Sequence, residues 1–159
     1  MGFEAPDIQL FTHLRREWSD STTDSCAILG DCHFYYGDTT ESFADRCGFK
    51  SVDTLDINGS PTHKINLQEP IPEEFHGKYD WIVDAGTLYC CFDISRVLEN
   101  MMLMLKNNGV VFHMSNLIGH FGRGFYALSP SFFNEFYRAN GFDQRTCFYR
   151  TKTTGGAWT

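Results

Sequence analysis

Between Lys78 and Asn116 the chain reads KYDWIVDAGTLYCCFDISRVLENMMLMLKNNGVVFHMSN, and its apolar positions change period twice. YDWIVD is a short apolar run of the kind that fills a buried strand. A polar turn follows, and then Ile94, Val97, Leu98, Met101, Met102 and Leu105 recur on one face of a helix. Asp93 stands where an N-cap belongs, and Gly109 marks a stop before a second buried strand, VVFHM. Strand, helix and strand make one β-α-β unit, the building block of parallel sheets.

The remaining pattern extends that unit. Ile8, Phe11, Leu14 and Trp18 recur at helical spacing behind Pro6, near a helix start. SCAILG at 25–30 reads as a buried strand. Asp38, Thr39 and Thr40 offer caps for a helix in ESFADRCG, with Glu41 placed to close a capping box on Asp38 and Gly48 as its stop. KSVDTLDI at 50–57 alternates as a strand does. The turn NGSP, a brief strand from His63 to Leu67 and the Pro-rich loop EPIPEEFHG lead back to Lys78. After VVFHM comes the Gly-rich stretch NLIGHFGRGFYALS. Ser129 and Pro130 then cap and open a helix carrying Phe132, Phe133, Phe136 and Tyr137, with Leu128 and Phe133 as a hydrophobic staple. Asn140-Gly141 ends it, and Thr146 to Lys152 reads as a last strand. Right-handed crossovers turn this order into a doubly wound α/β fold, a mostly parallel sheet flanked by helices. No linker or repeat divides residues 1–159, so one domain is expected.

Composition narrows the function. The 159 residues carry a formal charge of −7, which argues against a nucleic-acid backbone or an anionic membrane as partner. A small-molecule ligand is the expectation. No run approaches the roughly 20 apolar residues of a membrane span, and MGFEAPDIQLF lacks the pattern of a signal peptide, so a cytoplasmic place is expected. Six cysteines in a chain with an adequate core are expected to be free thiols. Cys32, His33, Cys90, Cys91, His113 and His120 include the residue types that bind zinc. No pair among them has ligand spacing, so no metal is expected.

Four phrases carry a family resemblance. LDI at 55–57, INLQEPIP at 65–72, KYDWIVDAGTLYC at 78–90 and LKNNGVVFHMS at 105–115 resemble successive strand motifs of the class I S-adenosylmethionine-dependent methyltransferases. The likeness covers roughly residues 24–142. It implies a Rossmann-like methyltransferase fold with S-adenosylmethionine as cofactor. It also implies cofactor contacts at Gly30, Asp31, Asp56, Ile57, Asn66, Leu67, Asp84, Ala85 and Gly86. Asp56 would take the ribose hydroxyls, since an ionised carboxylate supplies only acceptors. Two features depart from the family. Its first motif holds several glycines, where LGDCHFYYGD keeps only Gly30 in place. Its last antiparallel strand has no counterpart before TGGAWT ends the chain.

The same loops hold candidates for the acceptor side. His120, between Gly119 and Phe121, is a candidate base, with Tyr89 beside it as a second catalytic candidate. Arg123, between two glycines, can fork onto a carboxylate or phosphate, and Phe121 and Tyr126 can wall a substrate. His113, inside an apolar strand, reads as a satisfied core histidine. Each of these residues also has a plain reading as loop or core. The expected function is methyl transfer to a small acceptor. The alternatives are a methyltransferase-fold protein that binds a ligand or serves a complex without transferring methyl, and a lyase or cyclase reusing the pocket.

A missing last strand leaves a sheet edge to be covered, and self-association through that edge is expected. At high concentration the chain should elute from size exclusion ahead of a monomer standard, and a monomeric elution volume overturns the expectation.

Overall fold

The computed structural model describes residues 3–18, 25–32, 34, 39–117 and 122–150. Five strands form a wholly parallel sheet: β1 (Ser25–Leu29), β2 (Ser51–Asp56), β3 (His63–Lys64), β4 (Tyr79–Asp84) and β5 (Leu105–His113). Their order is β3-β2-β1-β4-β5. Four helices accompany them: α1 (Ala5–Trp18), α2 (Thr40–Cys47), α3 (Ile94–Met104) and α4 (Pro130–Ala139).

The strands alternate, so the sheet divides the apolar residues into two cores. Cys26, Ile28, Trp81 and Val83 face Phe3, Ile8 and Phe11 at α1 and Phe43 and Cys47 of α2. Ala27, Leu29, Leu55 and Ile82 face Val97, Leu98, Met101 and Met104 of α3, with Phe132, Phe133 and Phe136 of α4 packed on their rim. Helices therefore cover both faces, and the fold is a doubly wound α/β sheet, as the element order implies. Crossovers run outward in both directions from the β1–β4 pair, where ligands of such sheets bind.

Several local signals act as read. Asp93 caps α3 by accepting from Arg96 N–H at 3.0 Å. Ser129 caps α4 with Pro130 at its start, and Gly141 leaves it at φ +80. Others differ. The cap of α2 is Thr39, in a reciprocal box with Ser42, because a serine three residues on returns to the Thr39 N–H; Asp38 lies outside the described residues. Helix α3 stops at Met104, before Gly109. The backbone turns extended at Leu105, and Lys106–Gly109 is an irregular excursion within β5 with Asn108 at φ +62. Pairing with β4 jumps there from Tyr79↔Leu105 to Trp81↔Val110. The strand expected from His63 to Leu67 is only His63–Lys64, because the Asn66 side chain takes Gln68 N–H at 3.0 Å and turns the chain. Residues 146–149 form no strand, Arg150 makes an isolated bridge, and Thr151 and Lys152 lie outside the described residues. Arg150 reaches Asp7 of α1 at 2.9 Å, so this end of the described chain is held by a side chain. Among the described residues no helix is long and apolar enough to cross a membrane.

One polar cluster braces the β3 side. The Oδ2 of Asp53 accepts from Tyr79 Oη at 2.7 Å, and Lys78 Nζ at 3.0 Å and His63 Nε2 at 3.1 Å converge on it. Burial opposes its charge, but these three partners outweigh burial and hold the carboxyl below its ordinary value. A folded-state value below the unfolded one gives stability that is complete above the unfolded value of about 3.9 and fades as pH falls below it. The urea midpoint of wild type should therefore exceed that of Asp53→Asn most clearly at pH 6, with the gap closing toward pH 3. A gap independent of pH overturns this.

Candidate functional site

The carboxyl ends of the strands meet along one edge, and Asp84 organises its centre. This side chain is wholly buried. Its Oδ1 accepts the N–H groups of Gly86, Thr87 and Leu88 at 3.1, 2.7 and 3.0 Å, which folds residues 86–88 into a tight turn. Its Oδ2 lies 2.8 Å from His113 Nδ1, and His113 Nε2 lies 2.6 Å from Tyr137 Oη. With the carboxylate as acceptor, Nδ1–H donates to Asp84, and Nε2 of a neutral ring accepts the Tyr137 hydroxyl. The imidazole also packs against Phe133, with ring centres 4.5 Å apart. His113 is therefore a satisfied interior histidine, and it ties α4 to β5 and β4.

The turn held by Asp84 reaches β1. Thr87 Oγ1 donates to Leu29 O at 2.7 Å and so bridges the gap at the order reversal. Gly30 follows at φ +102, and a Cβ there would stand 2.6 Å from that same Thr87 oxygen. Both its conformation and its space demand glycine. Gly30 N–H donates to Leu55 O at 2.8 Å, and Asp31 N–H donates to Asp56 Oδ2 at 2.7 Å. The other Asp56 oxygen takes Asn58 N–H at 2.9 Å, and Ser60 N–H donates to Asp31 at 2.9 Å. Gly30, Asp31 and Asp56 thus stand together, two strand ends locked by reciprocal carboxylates. Ile57, beside them, is 51% exposed, an apolar face at the rim.

The loop after β3 forms the neighbouring wall. Leu67 is buried in the core. Asn66 spends its amide within the loop, accepting from Gln68 N–H and donating to Glu69 at 3.1 Å. The Gln68 carbonyl takes the N–H groups of Phe92 and Asp93 at 2.8 and 3.0 Å. From beneath, buried Asn100 donates to Leu67 O and Glu69 O at 2.8 and 2.7 Å and accepts Ile71 N–H at 3.1 Å. Asn100, Gln68 and Tyr137 were not singled out from sequence as shaping this edge. Asn100 left a signal: a polar residue one turn from Val97 and Met104, on the buried stripe of α3.

On the far side, Tyr89 anchors the Gly-rich loop. It is buried, and its hydroxyl accepts from Asn116 at 3.0 Å. Burial pushes its phenol up to about 12, so the hydroxyl stays protonated at neutral pH. Its carbonyl takes Phe125 N–H at 2.8 Å and Tyr126 N–H at 3.3 Å, and Gly124 lies so close to the ring that a Cβ would approach to 2.6 Å. Ala85 and Gly86 are buried within the turn. Arg123 is exposed and lines a cavity of about 430 Å³ with Cys90, Gly122, Gly124 and Phe125. His120 and Phe121 lie outside the described residues.

All six cysteines are free thiols, and burial raises Cys32 to about 12 and Cys91 to about 11, which keeps both protonated. Cys90 and Cys91 fall on a 3-10 turn (Leu88–Cys90) and the residue after it. Among the described residues no group of three or more histidines, cysteines and acids is placed to hold a metal ion.

Asp56 and Ile57 are the groups at this edge that could hold a nucleoside. Each Asp56 oxygen has one N–H partner and keeps acceptor capacity for a diol. Ile57 offers an apolar face at the rim. Just past β5, the Ser115 hydroxyl is buried with no hydrogen-bond partner among the described residues, an orphan that a ligand or water would satisfy.

No family model and no curated protein matches the chain. Among solved structures, the trans-methyltransferase CalH in complex with SAH superposes with a TM-score of 0.46 at 14% identity, over 69% of this chain and 36% of that one.

The Asp84–His113–Tyr137 chain sets an order of damage. Tyr137→Phe leaves His113 Nε2 without its donor and should cost about 1–2 kcal/mol. His113→Ala also strips Asp84 of its side-chain partner, opens a cavity beside Phe133 and should cost more, about 3–5 kcal/mol. Urea unfolding measures both, and a Tyr137→Phe variant as stable as wild type overturns the assignment of that hydrogen bond.

Proposed function

We propose that the chain binds S-adenosylmethionine along the carboxyl edge of its sheet and transfers the methyl group to a small-molecule acceptor. One observation carries the reading. At the order reversal of a parallel sheet, left-handed Gly30 and the Asp31 N–H meet the Asp56 carboxylate, with Ile57 exposed beside it. That is a diol acceptor beside an apolar wall, at the place where such sheets bind ligands.

Asp56 would hold the ribose hydroxyls, and its bonds to Asp31 and Asn58 fix the carboxylate plane beforehand. Ile57 and the loop at Leu67 would flank the adenine. Asn66 shapes that loop through its bonds to Gln68 and Glu69. When bound, the cofactor supplies a sulfonium whose methyl carbon is displaced in line by the acceptor. The protein's share is to align the acceptor and exclude water. Tyr89, protonated and buried, serves as the floor on which residues 124–126 rest. His120 is the proposed base on the sequence reading alone.

A second reading, a ligand-binding protein of this fold without methyl transfer, draws on one feature. The first motif keeps a single glycine, and Asp31 and Cys32 carry side chains where the family has room for the methionine part of the cofactor.

S-adenosylmethionine and S-adenosylhomocysteine should each raise the melting temperature. At a hundredfold excess over the dissociation constant the gain is about 2.7 kcal/mol. Asp56→Ala should abolish the shift, and no shift at millimolar ligand overturns the proposal. Binding that never yields S-adenosylhomocysteine across a panel of acceptors favours the second reading.

A further inference from the structure

We infer that the cavity beside Tyr89 is the acceptor subsite and that it selects a carboxylate borne on a flat apolar body. This rests on the methyl-transfer reading and names the class of molecule that would receive the group.

The observations are independent of the cofactor residues. Arg123 lines a cavity of about 430 Å³ and has, among the described residues, no hydrogen bond or ion pair. It is the only charged group among the five described lining residues, since the Cys90 thiol is raised above its ordinary value by burial and stays neutral.

The chain that follows Arg123 is held in place. Gly124 lies against the Tyr89 ring, and the Phe125 and Tyr126 N–H groups bond to the Tyr89 carbonyl. Tyr126 Oη donates to Phe92 O at 2.7 Å, while Phe92 N–H is held by Gln68. The cation thus sits on a preorganised loop, which lowers the cost of binding.

The same scaffold presents two aromatic side chains to solvent. Phe92 is 70% exposed and Phe125 63%, and their rings meet edge to face at 5.6 Å. Large aromatics held this open by backbone bonds mark a binding surface when they cluster. A planar guanidinium fork matches the two oxygens of a carboxylate, and one positive charge balances one negative charge. A dianionic phosphate would call for further donors. Rings beside the fork would stack on or abut a flat body.

Calorimetric titration of the full chain tests this with benzoate, benzamide, acetate and phenyl phosphate at matched ionic strength. Benzoate should bind at least tenfold more tightly than benzamide or acetate. Arg123→Gln, a substitution at an exposed site, should bring benzoate and benzamide to equal affinity, with Arg123→Lys between. Equal binding of benzoate and benzamide to wild type, no benzoate binding, or benzoate binding unchanged in Arg123→Gln overturns the subsite. Acetate as tight as benzoate removes the flat body, and phenyl phosphate tighter than benzoate removes the choice of carboxylate. S-adenosylhomocysteine titrated into the same proteins separates the two readings. Its binding retained where benzoate fails overturns the subsite alone, and its loss where benzoate binds overturns the cofactor reading alone.

Discussion

The carboxyl of Asp84 is wholly buried at the end of a central strand, and much of the carboxyl edge takes its shape from it. One oxygen gathers three successive backbone N–H groups and closes the turn after β4. The other meets His113, and through it Tyr137 of α4. A buried acceptor is costly unless its hydrogen-bonding capacity is filled, and here four donors fill it. The turn so fixed carries Thr87, which binds Leu29 O and leaves room for no side chain at Gly30. From Gly30 the constraint passes through the Asp31 N–H to Asp56 and the loop beyond. Strand ends that are distant in sequence are thereby set in register with one another.

The rest of the edge is built by the same means. Apolar packing forms the two cores and the sheet, but it does not fix loops to fractions of an ångström. Side-chain amides do that here. Asn100 closes the loop after β3 from below, and Gln68 joins it to the start of α3. The Tyr89 carbonyl holds the Gly-rich loop. Side chains that bind backbone make a stiff frame, and a stiff frame can present exposed groups such as Ile57, Phe92, Phe125 and Arg123 without burying them.

Much of the fold was legible because its signals are local. Short apolar runs marked β1 and β4, alternation marked β2, the 3.6-residue stripe marked α1, α3 and α4, and Asp93, Ser129 and Asn140-Gly141 marked helix ends. The errors fall where two local signals compete. Thr39 rather than Asp38 caps α2 because Ser42 answers it. Gly109 reads as a helix stop, yet α3 ends earlier, where Leu105 begins to pair with Tyr79. The segment at 146–149 has strand-like composition, but no described strand pairs with it.

Sequence alone determined the order of the helices and the five strands, the parallel sheet and the Asp residues that end β2 and β4, because periodicity and caps act over a few positions. It also assembled the list from which the site is drawn. Only the tertiary structure decided how those residues are used. Asp84 and Asn66 have their polar groups engaged inside the protein, Asp56 keeps acceptor capacity, His113 is locked between two partners, and Arg123 stands exposed on a braced loop. The reason is physical. A polar side chain's role depends on whether its hydrogen bonds are already spent, and the partners that spend them come from elements far away in the chain.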